Sequence, residues 1–107
     1  METIKFANYG EKRERIATES ELEIYDLLCN MTGRDDFDLV RKSDNYVSMV
    51  LGDWDIARIK FTPRAKWVLF PIVESASSKH KITAPTDVSE FADLLADSIA
   101  HVEKYSN

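Results

Sequence analysis

One cysteine (Cys29), three glycines and three prolines are all this chain holds of the residues that staple, bend or break a backbone. A single thiol closes no internal disulfide, so the fold has to rest on its core. Glycines at 10, 33 and 52 form no phosphate-cradling loop, and neither a cysteine-histidine metal spacing nor a nucleophile elbow is present. The longest apolar run, Trp67 to Val73, is seven residues, against the ~18 of a membrane span. Met1-Glu2-Thr3-Ile4-Lys5 does not read as a secretory leader. These absences predict a cytoplasmic protein that is not an enzyme, with no catalytic residue, cofactor, metal or membrane contact assigned.

What is present supports one packed domain. The 107 residues are 44% apolar and 31% charged, a balance that favours a core over wholesale disorder. The formal charge is -5, yet residues 56 to 68 carry four bases and no acid. Such a patch marks a contact surface, while the acidic whole opposes generic attraction to nucleic acid or anionic lipid.

Thr3 to Tyr9 could form a short edge strand, but Gly10 and the mixed charges at 11 to 15 lead us to expect residues 1 to 17 to be weakly ordered, followed by one domain over 18 to 107. Thr18 and Glu21 have capping-box spacing, in which the hydroxyl bonds a free helical N-H and the carboxylate reaches back. Ile24, Leu27, Leu28 and Met31 then form one apolar stripe, and Gly33 ends the helix. From Phe37 the period becomes two. Turn chemistry at 43 to 45, 52 to 55 and 62 to 65 predicts four strands, Asp38 to Lys42, Tyr46 to Leu51, Ile56 to Phe61 and Lys66 to Ile72. Connections this short require an antiparallel meander. Glu74 to Pro85 reads as an exposed loop, and Thr86-Asp87 as the cap of a second helix to about Tyr105, striped by Val88, Phe91, Leu95, Ile99 and Val102. The expected fold is therefore α+β: helix, four-stranded meander, helix, with both helices on one face of the sheet.

On this reading Val47, Met49, Leu51, Ala57, Ile59, Phe61, Trp67 and Leu69 face the helices. Tyr46, Ser48, Val50, Ile56, Arg58, Lys60, Lys66, Val68 and Phe70 face outward. An outer face that mixes aromatics with bases calls for a cover. The N-terminal Ile4, Phe6 and Tyr9 are one candidate, and a second copy forming a homodimer is another. Another protein is the leading partner, with single-stranded nucleic acid stacked on the rings as the alternative. The expected partner-binding residues are Arg58, Lys60, Arg64, Lys66, Tyr46, Phe70 and Trp54. Trp54, at a turn between Asp53 and Asp55, either folds back on the sheet or anchors a partner, and the first is favoured because an exposed indole is costly.

Three chemical readings compete with this one. Helix, strands, helix is the order of the double-stranded-RNA-binding domain, but the second helix carries Asp87, Glu90, Asp93, Asp97 and Glu103 against Lys104, the wrong charge for a phosphate path. A nuclease of acid-x-lysine type would need an acid two residues before Lys60, where Arg58 stands. Asp93, Asp97 and His101 share a helical face at metal-ligand spacing, but the reading adopted is a solvated acidic face with Asp97 and His101 as an ordinary i, i+4 pair. Cys29 is expected to be a small core filler. The function expected is a non-catalytic protein-protein interaction module, of the kind that small bacterial or phage accessory and inhibitor proteins provide.

Overall fold

A computed structural model describes residues 4 to 6, 17 to 43, 46 to 75 and 77 to 105. The chain runs β1 (Ile4–Phe6), α1 (Glu19–Thr32), β2 (Asp38–Ser43), β3 (Tyr46–Leu51), β4 (Trp54–Phe61), β5 (Lys66–Leu69) and β6 (His80–Lys81). A 3-10 segment (Pro85–Phe91) then leads into α2 (Ala92–Tyr105). The expected α+β architecture is present. Strands β2 to β5 form the antiparallel meander, extended by β6, and both helices contact β4. Ile24, Tyr25 and Leu28 of α1 share one core with Leu95, Ile99 and Val102 of α2 and with Leu39, Val47, Met49 and Ile59 of the sheet.

Two strands lie outside the expected meander. β1 pairs in parallel with β2, so its backbone joins the sheet at an edge and does not cross the outer face. Tyr9, the other half of that proposed cover, lies outside the described residues, as do the turn residues Asp44 and Asn45. The supposed loop after β5 returns as β6, where His80 pairs with Val68 and Lys81 with Trp67. Ile82, just beyond, is buried.

The start of α1 shows how a local signal acquires a tertiary role. Glu21 N-H donates to the Thr18 hydroxyl at 3.0 Å, and Thr18 N-H donates to Glu21 Oε1 at 2.9 Å, completing the capping box. The Thr18 hydroxyl donates to the Phe61 carbonyl at 3.1 Å, while Phe61 N-H donates to Glu21 Oε2 at 2.9 Å. Arg41 Nη2 lies 3.3 Å from Glu21 Oε1. One carboxylate, only 1% exposed, thus joins the helix start to the end of β4 and to β2. At the other end Gly33 takes φ 71°, a left-handed conformation that costs any residue with a Cβ.

The second helical segment begins one turn earlier than expected and differently. Pro85 to Phe91 winds as a 3-10 helix before α2, and Asp87 is the capping side chain. Its Oδ2 accepts the Thr83 N-H, the Thr83 hydroxyl and the Ala84 N-H at 2.9, 2.9 and 3.0 Å. Those bonds to the charged form hold the Asp87 carboxyl below the usual carboxylate range.

Register corrects the assignment of faces. Phe61 pairs with Lys66 across the turn, so Ile59 pairs with Val68 and Lys60 with Trp67. Residues directly opposite share a face. Val68 therefore points to the core beside Ile59, whereas Trp67 and Leu69 point outward beside Lys60 and Arg58. Phe70, expected outside, is fully buried in the core, 6.1 Å from Phe91. A register shift between Met49 and Val50 leaves Ile56 as the extra residue of a bulge, and it too is buried with the core.

Candidate functional site

The outer face is built from the alternate positions that the core does not use. β3 contributes Tyr46 and Ser48, β4 contributes Arg58 and Lys60, and β5 contributes Trp67 and Leu69. Lys79, just before β6, completes the group. Tyr46, Arg58, Lys60, Ala65, Trp67, Leu69 and Lys79 line a hollow of about 390 Å³.

Its rings and cations are in contact. Tyr46 and Trp67 lie 6.2 Å apart at 47°. The Arg58 guanidinium stands 5.2 Å from the Tyr46 centroid and the Lys79 ammonium 4.5 Å from that of Trp67, distances at which the ring face attracts a cation. Leu69 forms a floor with 1% exposure. Asp55 partly neutralises one side, with Oδ2 3.6 Å from Arg58 Nε and Oδ1 3.6 Å from Lys42 Nζ. Arg58 Nε is shut off from solvent yet has no hydrogen-bond acceptor. Lys60 and Lys79 form no ion pair with a described residue. The hollow thus presents two half-exposed rings, three cations and no acidic wall.

Of the seven residues expected at a contact face, Tyr46, Arg58 and Lys60 converge here. Arg64 and Lys66 border a neighbouring hollow of about 450 Å³ with Trp67, Lys81 and Thr83. Lys66 shares a face with Phe61, and its ammonium lies 5.5 Å from that ring, so it does not form a row with Arg58 and Lys60. Phe70 is withdrawn into the core. Trp54 sits at the opposite end of the sheet, half-buried against the core, with its ring 5.6 Å from His101 in an edge contact.

Trp67 and Leu69, expected to face the helices, and Lys79, expected in an exposed loop, also line the hollow. The signal for the first two was the turn itself: four residues between Phe61 and Lys66 force that pair opposite one another, and every later pairing follows. Lys79 had no local signal, because its approach to Trp67 depends on β6 returning to the sheet.

The other candidates are dispersed. Asp93 and Asp97 are exposed, and the His101 ring lies 4.6 Å from Tyr105. Among the described residues no group of three or more His, Cys, Asp or Glu is placed to hold a metal. His80 Nε2 and both Glu74 oxygens are 2.8 and 2.9 Å apart, with the imidazole 4.7 Å from Phe91. This pair fastens the β5 to β6 connection to the core. Cys29 is half-buried on α1. No described helix is long and apolar enough to cross a membrane. The chain matches no family model, no curated protein and no solved structure.

Proposed function

We propose that this chain is a non-catalytic, cytoplasmic interaction module that holds an acidic segment of a protein partner on the outer face of its sheet. The observation that carries this reading is the hollow in which Tyr46 and Trp67 meet Arg58, Lys60 and Lys79 with no acid in its lining. Half-exposed aromatics beside arginine are the composition of protein interface cores, and cations lacking local counter-ions favour carboxylates opposite them. Single-stranded nucleic acid is the second reading, favoured by the same rings, on which bases would stack. The net charge of -5 weighs against it, because long-range repulsion of a polyanion has to be overcome by three clustered cations.

The experiment is retention of partners from native cell extract by the tagged chain, with and without nuclease, beside the variant Lys60→Glu/Lys79→Glu. These two lysines are preferable to Arg58, whose reversal would set a new carboxylate against Asp55. We expect a protein that survives nuclease and is lost with the folded variant. Retention that nuclease abolishes, with binding to oligo-dT whose affinity falls with a log-log salt slope of roughly -2 for three phosphates, would establish the second reading. Equal retention by the variant would place the contact elsewhere.

A further inference from the structure

The charges of this protein are sorted by layer. The helical segments 18 to 32 and 85 to 105 carry nine acids and one base, whereas residues 54 to 82, which hold β4 to β6, carry six bases and two acids. Because both helices pack on one face of the sheet, the outer-face bases Arg58, Lys60 and Lys79 point away from the acidic helices, although Lys66, opposite Phe61, does not. Glu19, Glu23, Glu90, Asp93 and Asp97 are exposed, and none of them pairs with a described residue. On the other side Lys60 and Lys79 are equally uncompensated. The shortest dimension of the molecule is 27 Å, against a Debye length of about 8 Å at physiological salt. The two surfaces therefore cannot neutralise each other within one molecule.

We propose that the occupant of the basic-aromatic sheet face is the acidic helical layer of a second copy of this chain, joined head to tail. This rests on the reading of that face as the contact face and names its partner. The exposed side of α2 offers what the hollow lacks: carboxylates at Asp93 and Asp97, one turn apart, with the small side chains of Ala96 and Ala100 between and beyond them, so the helix backbone can approach Trp67 and Tyr46 closely. The contact uses different patches on the two copies. It is heterologous, so nothing requires it to close into a ring, and the assembly grows with concentration. Net repulsion between two acidic chains opposes it at long range. At contact the facing opposite charges lie within a Debye length and outweigh the more distant, screened ones. The association is consequently weak and salt-sensitive.

The test is sedimentation velocity over a concentration series at ~50 mM and ~500 mM salt, with circular dichroism as the check on folding. The wild-type chain should exceed the monomer mass increasingly with concentration at the lower salt and return to monomer at the higher. Lys60→Glu/Lys79→Glu removes the basic face and Asp93→Lys/Asp97→Lys the acidic one, and each alone should stay monomeric. Mixed in equal amounts they retain one intact face of each kind, and should associate with each other. A wild-type chain that stays monomeric at the lower salt, a single variant that still self-associates, or a mixture that does not pair would overturn the proposal. A monomeric wild type that retains another protein through Lys60 and Lys79 would sink only this inference and leave the proposed function standing.

Discussion

Two clusters of charge on opposite faces of the same sheet use the same kinds of residue to different ends. Beneath α1, Glu21 and Arg41 are buried, and the carboxylate is occupied by the Thr18 and Phe61 backbone N-H groups as well as the guanidinium. On the outer face Arg58 lies over Tyr46 and Lys79 over Trp67, with Lys60 lining the same hollow and Asp55 3.6 Å from Arg58 Nε. A buried charge that is satisfied from several directions fixes how elements meet, and removing it breaks several of their contacts at once. A half-exposed cation on a ring gains little within the chain and keeps its donors for something else. The comparison separates a structural charge from one available for contact by counting partners, not by residue type.

The largest effects should come from the buried side. Glu21→Ala should cost about 3–5 kcal/mol, the cost of breaking a buried ion pair whose carboxylate also accepts the Phe61 N-H, with a smaller loss in Glu21→Gln, which keeps one acceptor. Urea denaturation measures both, and an unchanged midpoint for the alanine variant would refute the structural role. Phe70→Ala should cost a similar ~3–5 kcal/mol by opening a cavity. Trp67→Ala, three residues earlier on the outer face, should cost clearly less and weaken partner contact instead. If the two costs came out reversed, the β5 register would be wrong. Gly33→Ala should cost about 1–2 kcal/mol, because the left-handed φ penalises a Cβ whatever the free space around it.

Smaller effects sharpen the outer side. Lys60→Glu/Lys79→Glu should lower stability, read from the thermal midpoint, by no more than about 1 kcal/mol, the loss of one exposed cation-ring contact at Lys79, while removing partner contact. A cooperative loss of structure would make those lysines structural. The pH response should be the slightest. The Asp87 carboxyl is held below its ordinary range by the Thr83 and Ala84 groups it accepts from. Its contribution is therefore fully present above pH ~4 and fades as pH falls through the lowered value. In Asp87→Asn that part of the acid sensitivity should vanish, which denaturation midpoints across the acid range would show.

The elements were largely legible in the sequence. The capping box at Thr18 and Glu21, the period-two runs after Phe37 and the helical stripe from Val88 to Val102 each rest on neighbours a few residues apart, so local sequence contains them. The hidden parts involve counting across a connection. The bulge at Ile56 and the parity of Trp67 against Lys66 depend on which residues face one another, and a displacement of one residue exchanges the two faces. Arg41 carried a visible clue, alternating with Leu39 on a strand whose inner face is apolar, but its partner Glu21 lies 20 residues away. The candidate site was half legible for the same reason: Tyr46, Arg58 and Lys60 follow from alternation, whereas Lys79 reaches Trp67 only because β6 returns.

Composition and periodicity by themselves determined an α+β fold, both ends of the first helix, an antiparallel meander and a basic segment in an acidic chain, since each follows from residue chemistry or from short-range geometry. The tertiary structure alone decided which β5 side chains enter the core, that Glu21 holds three elements together, and that rings and cations gather in one hollow while acids cover the opposite layer. Those outcomes depend on pairing register and on the side from which helices pack, and both are set by the burial of the whole apolar surface at once, not by any local stretch of it.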